Sequence, residues 1–129
     1  MTLNTPEITV KKNQEELFNF LTDFKNFEKI MPENTDKFEL TDDGFLFALK
    51  GMPTIKLKLD EKTPNSKIVL GSTSEQFPFT LSANITDDKS NAKVNFDFEG
   101  KFNPMISMMV KKPLQKFINA LSDNLEKLD

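Results

Sequence analysis

Two periodicities divide this chain. Between residues 36 and 102 apolar side chains alternate with polar ones, and on either side they recur at intervals of three and four. Alternation predicts strands buried on one face; the longer interval predicts amphipathic helices. At the start, residues 7–11 place Ile8 and Val10 on one face and predict a short strand. Asn13 then opens a helix, with Glu16 three residues on completing an Asn-x-x-Glu capping pair. Leu17, Phe18, Phe20, Leu21 and Phe24 follow at helical spacing. Asp23 is expected to cap a second short helix carrying Phe27, Ile30 and Met31, which Pro32 stops.

The alternating region predicts successive antiparallel strands. Phe38 and Leu40 lead into Asp42-Asp43-Gly44, a hairpin signal, and Phe45, Phe47 and Leu49 return. Gly51-Met52-Pro53 breaks the run before Ile55, Leu57 and Leu59. Thr63-Pro64-Asn65-Ser66 makes the next turn, and Ile68 and Leu70 continue to about Ser72. Phe79, Leu81, Ala83 and Ile85 form another strand, Asp87 to Asn91 a turn, and Val94, Phe96, Phe98 and Phe102 the last strand. The final segment, residues 104–128, is predicted helical: Asn103 is a good N-cap and Pro104 suits the first helical position. At 1.5 Å per residue that helix is roughly 37 Å long, enough to cross a small sheet. Pro113 falls inside it, where it should free the Met109 carbonyl and kink the helix.

Composition narrows the chemistry. The 129 residues contain no His, Cys, Trp, Tyr or Arg; all 17 basic residues are Lys, beside 13 Phe and 6 Met. Disulfides and thiolate metal sites are excluded, and so is imidazole acting as base or zinc ligand. The formal charge of −3 and the missing guanidinium argue against nucleic acid as a partner. Neither a metal nor a cofactor is expected. Asp42-Asp43 and Asp87-Asp88 lack the ligand spacing of a calcium loop and suit turns better. The N-terminus has no leader pattern and no apolar run reaches the length of a membrane span, so the expected location is the cytoplasm, without stable membrane insertion. The length fits a single domain over residues 1–129.

The order is one strand, two short helices, six strands and one long helix. Its local signatures are Glu15-Glu16-Leu17-Phe18-Asn19-Phe20-Leu21-Thr22-Asp23-Phe24-Lys25-Asn26-Phe27, then Met31-Pro32, then Asn103-Pro104. Together they resemble the START-like, or SRPBCC, superfamily. It includes birch-pollen-allergen, polyketide cyclase and coenzyme-Q-binding types. The resemblance covers nearly the whole chain and implies an α+β helix-grip fold. In that fold a curved antiparallel sheet of about seven strands wraps around the C-terminal helix. Members that hold a dioxygenase iron need His ligands, so that branch is excluded.

A bent sheet with a helix across its concave face leaves an apolar cavity wherever side chains do not fill the gap. The residues expected to line it are Phe47, Leu49, Leu57, Phe79, Leu81, Phe96, Phe98, Met105, Met108, Met109 and Phe117. Met105, Met108 and Met109 would form an adaptable mouth, with Met52 reaching them from a loop. Ordinary core packing is the competing account of every Met and Phe in this set. Lys111-Lys112, next to Met108-Met109-Val110, suggests transient contact with anionic lipid headgroups, against the plainer reading of a solvated helix face. Lys50 and Glu75 lie near strand ends and are candidates for a pocket rim.

The first expectation is binding or transport of a hydrophobic small molecule, such as a lipid, quinone or polyketide, between sheet and helix. A second is a polyketide cyclase or dehydratase relying on cavity shape, because no paired acid–base constellation stands out. A third is a protein-interaction module with a filled core.

Overall fold

The computed structural model describes residues 1–74 and 77–128; Glu75, a candidate rim residue, lies outside them. Strands β1 (Thr2–Asn4) and β2 (Ile8–Val10) are followed by α1 (Gln14–Thr22) and a 3₁₀ helix, Phe24–Lys29. Six strands come next: β3 (Thr35–Leu40), β4 (Gly44–Leu49), β5 (Ile55–Thr63), β6 (Lys67–Ser72), β7 (Phe79–Asp88) and β8 (Asn91–Gly100). Helix α2 (Pro104–Glu126) closes the chain. The sheet is antiparallel and open, in the order β1-β8-β7-β6-β5-β4-β3, with β2 also paired to β8.

The predicted first strand is β2, and a further strand the sequence did not predict, β1, precedes it along the same edge. Pro6 has no amide hydrogen to give to a ladder and falls where the edge breaks. Thr5 bridges the break from a buried position. Its N–H donates to the Phe96 carbonyl at 3.0 Å, and its hydroxyl accepts from the Phe96 N–H at 2.9 Å.

The capping pair forms as the sequence predicts. The Asn13 side chain accepts from the Glu16 N–H at 2.8 Å, and the Asn13 N–H donates to the Glu16 carboxylate at 3.0 Å. The second helix differs from expectation. It is a 3₁₀ helix, and no side-chain bond from Asp23 caps it; Asp23 instead stands 3.6 Å from the Lys25 ammonium. Phe24, Phe27 and Ile30 are three apart, the repeat of a 3₁₀ helix rather than of an α-helix.

Strand alternation places the core. Leu81 pairs with Phe98, Ala83 with Phe96 and Ile85 with Val94, and all six point inward. The last strand stops at Gly100, so Phe102 follows it, half-buried, with its ring centroid 4.6 Å from that of Phe77. Gly44 opens β4 where a side chain would collide with the Leu57 carbonyl.

Helix α2 starts as predicted, with the Asn103 side chain accepting from the Ile106 N–H at 2.9 Å and Pro104 in the first turn. It continues through Pro113 to Glu126. Val110, Leu114, Phe117, Ile118, Leu121 and Leu125 are buried against the sheet. Its contacts reach both sides of the molecule. Gln115 Nε2 donates to the Asn4 carbonyl at 3.1 Å, and Asn124 Nδ2 to the Ile30 and Met31 carbonyls at 3.0 and 3.2 Å.

Candidate ligand-binding site

The chain pauses between β4 and β5 because Gly51 adopts a left-handed backbone (φ +83°). An L side chain seldom accepts that conformation, and glycine does so freely. The resulting turn, Lys50-Gly51-Met52, stands beside the middle of α2. Pro32 and Asn34, which lead into β3, form the third side. These segments enclose an open cleft of about 520 Å³. Leu49, Met52, Pro113, Phe117 and Ala120 give it apolar walls, and Lys50, Lys112 and Lys116 supply its only ionisable side chains among the described residues.

Helical geometry explains why α2 contributes both kinds of side chain. Lys112, Lys116 and Ala120 recur every four residues along one flank, and Pro113 and Phe117 lie one step round toward the core. Phe117 faces two environments. It lines the cleft and also stacks on Phe47 inside the core, centroids 5.0 Å apart and planes at 14°.

The predicted lining residues separate into a buried set and an exposed one. Phe47, Leu49, Leu57, Phe79, Leu81, Phe96, Phe98 and Phe117 are all buried in one continuous core. Of these, Leu49 and Phe117 reach the cleft. Leu81 and Phe96 border, with Phe27, Ile68, Leu70 and Ala83, a small internal void of about 10 Å³, room for no more than a single water. Phe79 stacks on Phe98 at 4.7 Å. Met105, Met108 and Met109 are elsewhere, exposed on the first turns of α2 and outside the cleft lining. Lys50 and Met52 lie on the cleft. Sequence reasoning did not place Pro32, Asn34, Lys116 or Ala120 at a site. Only Lys116 carried a signal, as the next lysine on the flank of Lys112.

A second surface depression of about 490 Å³ lies near Thr2, Pro78 and Phe79, with Asp60, Glu99 and Lys101 in its lining. Its ionisable side chains are of both signs, whereas those of the cleft beside α2 are all basic. Among the described residues no three acidic side chains converge into a metal-binding group.

The sequence matches no protein-family model and no curated protein. Solved structures are similar in shape. A protein from Thermus thermophilus gives a TM-score of 0.72 at 11% identity, covering 98% of this chain and 95% of its own. A START superfamily protein from Mycobacterium smegmatis gives 0.67 at 14% identity, covering 99% of each chain. This chain has the START-like helix-grip fold. A norcoclaurine synthase from Thalictrum shares that helix-grip arrangement, with a TM-score of 0.71 at 13% identity over 98% of this chain and 93% of its own. In helix-grip terms the cleft lies where the gripped helix meets the turn after β4. No helix among the described residues is long and apolar enough to cross a membrane.

Proposed function

We propose that this protein binds a small amphipathic molecule in the cleft beside α2. The apolar part rests on Leu49, Met52 and Phe117, and an anionic head meets Lys50, Lys112 and Lys116. The observation that carries the reading is the cleft itself. It has the volume of a small-molecule site, apolar walls, and charged groups of one sign only. A START superfamily protein and a norcoclaurine synthase point mutant in complex with a transition-state analogue support it at the level of fold. Binding is favoured over acid–base turnover because, among the described residues, the lining supplies no carboxylate to pair with a lysine.

Burial drives such binding at about 0.8 kcal/mol per CH₂, with the lysines selecting the head. Native mass spectrometry with alkyl carboxylates, alkyl sulfates and neutral alcohols of equal chain length tests this. The expected result is one equivalent of an anionic amphiphile, retained better than the alcohol and lost when Ala120→Trp fills the cleft. Failure to retain any of these, or retention unaffected by A120W, would overturn it.

A further inference from the structure

Four large apolar side chains are highly exposed among the described residues, and three of them are Met105 (73%), Met108 (84%) and Met109 (71%). They fall within five residues at the start of α2. With Met109 four residues after Met105 and Met108 three after it, they share the helix face opposite Val110, Leu114 and Leu121, which enter the core. The outward face of a surface helix is ordinarily polar. Here it is apolar for its first two turns and turns basic at Lys111 and Lys112.

Charge is segregated in the same place. From Gly100 to Ser122 the sequence holds four Lys and no Asp or Glu. The whole chain has 17 basic and 20 acidic residues, which leaves 13 against 20 outside that stretch. A positive segment bearing an apolar tip thus sits on an otherwise acidic molecule.

We propose that the first turns of α2 dock on an anionic lipid bilayer, with Met105, Met108 and Met109 entering the headgroup layer and Lys111 and its neighbours contacting lipid phosphates. The dimensions agree. Lys112 stands about 10 Å from Met105 along the helix axis and on the same helix face, so the methionines and this lysine can meet one surface together. A second copy of the chain is a poorer occupant. Three methionine side chains offer a few hundred Å², below the roughly 800 Å² per partner that a stable protein interface buries. Unbranched, polarizable thioethers also suit a disordered lipid surface better than a fixed protein one.

The test is co-sedimentation with vesicles of phosphatidylcholine alone and of equal parts phosphatidylcholine and phosphatidylglycerol. The protein should bind the mixed vesicles only, and release as salt rises from about 0.1 M to about 1 M. The triple variant M105Q/M108Q/M109Q, whose substitutions are all on exposed positions, should keep its thermal midpoint and lose at least about ten-fold in partitioning. Lys111→Glu should lose about five-fold or more. Absence of binding to mixed vesicles, or binding unchanged in the triple variant, would refute the proposal. So would a dimer in light scattering that the triple variant abolishes, which would assign the patch to self-association. Docking is separable from cleft occupancy: A120W should sediment with mixed vesicles as the native protein does.

Discussion

The Phe117 ring stacks on that of Phe47, with the two planes 14° from parallel and the centroids 5.0 Å apart, and this pair joins α2 to the middle of β4. Because Phe117 also lines the cleft, it separates the open space from the packed interior. Phe117→Ala should therefore have two effects. Stability should fall by about 3–5 kcal/mol in urea denaturation, the usual cost of truncating a buried aromatic. The cleft should deepen toward Phe47, so a fluorescent apolar probe should bind more tightly to the folded variant than to the native protein. A stability loss with unchanged probe binding would mean that the core collapses into the vacated volume.

Lys50 and Lys116 are expected to set the charge preference of the cleft. Lys116→Glu should weaken an anionic alkyl probe by about three- to ten-fold at low salt, the range expected for an exposed charge. It should leave a neutral probe of equal length unaffected. Titration of both probes at two salt concentrations checks this. Equal weakening of both would point to lost packing by the lysine stem.

Thr5 makes a reciprocal pair of bonds with Phe96, one through its backbone and one through its hydroxyl. Thr5→Val keeps the shape and leaves the buried Phe96 N–H without its acceptor. The expected loss is about 1–3 kcal/mol. Hydrogen exchange at the Phe96 amide should quicken more than at Val94, which pairs with Ile8 on the far side of the break.

Lys89 is the first residue of the two-residue turn between β7 and β8, and it is held at φ 62°. That conformation costs an L residue roughly 1–2 kcal/mol. Lys89→Gly should return up to about 1 kcal/mol, less than the full strain because glycine also gains freedom in the unfolded chain. A rise of the thermal midpoint is the expected readout.

Much of the fold was legible because its signals are local. Alternation from Phe45 to Phe98 marked the inward face of five strands. Asn13 with Glu16, and Asn103 with Pro104, marked where two helices begin. Strand β1 was not legible: three residues with one inward side chain, Leu3, cannot establish a period, and Pro6 separates it from β2. The second short helix was legible, but its 3₁₀ form shows only in the spacing of three between Phe24, Phe27 and Ile30, and the expected Asp23 cap is not made.

The cleft was hardest to foresee. Its walls come from residues 32–34, 49–52 and 112–120, which only tertiary packing brings together. Whether a set of apolar side chains fills an interior or lines a hollow depends on volumes summed across several strands. The alternation that marked Phe47, Leu57, Phe96 and Phe98 as inward carried no information about the space between them.

Strand β3 leaves one side of the sheet without a neighbour. An unpaired strand is a template on which another chain can grow, the first step toward fibres. This one sets Asp36, Lys37 and Glu39 around Phe38, leaves Leu40 exposed at its end, and slips in its pairing with β4 between Thr35 and Lys37. An incoming strand would meet closely spaced charges and a backbone out of register. Both features disfavour growth of a fibre from this rim.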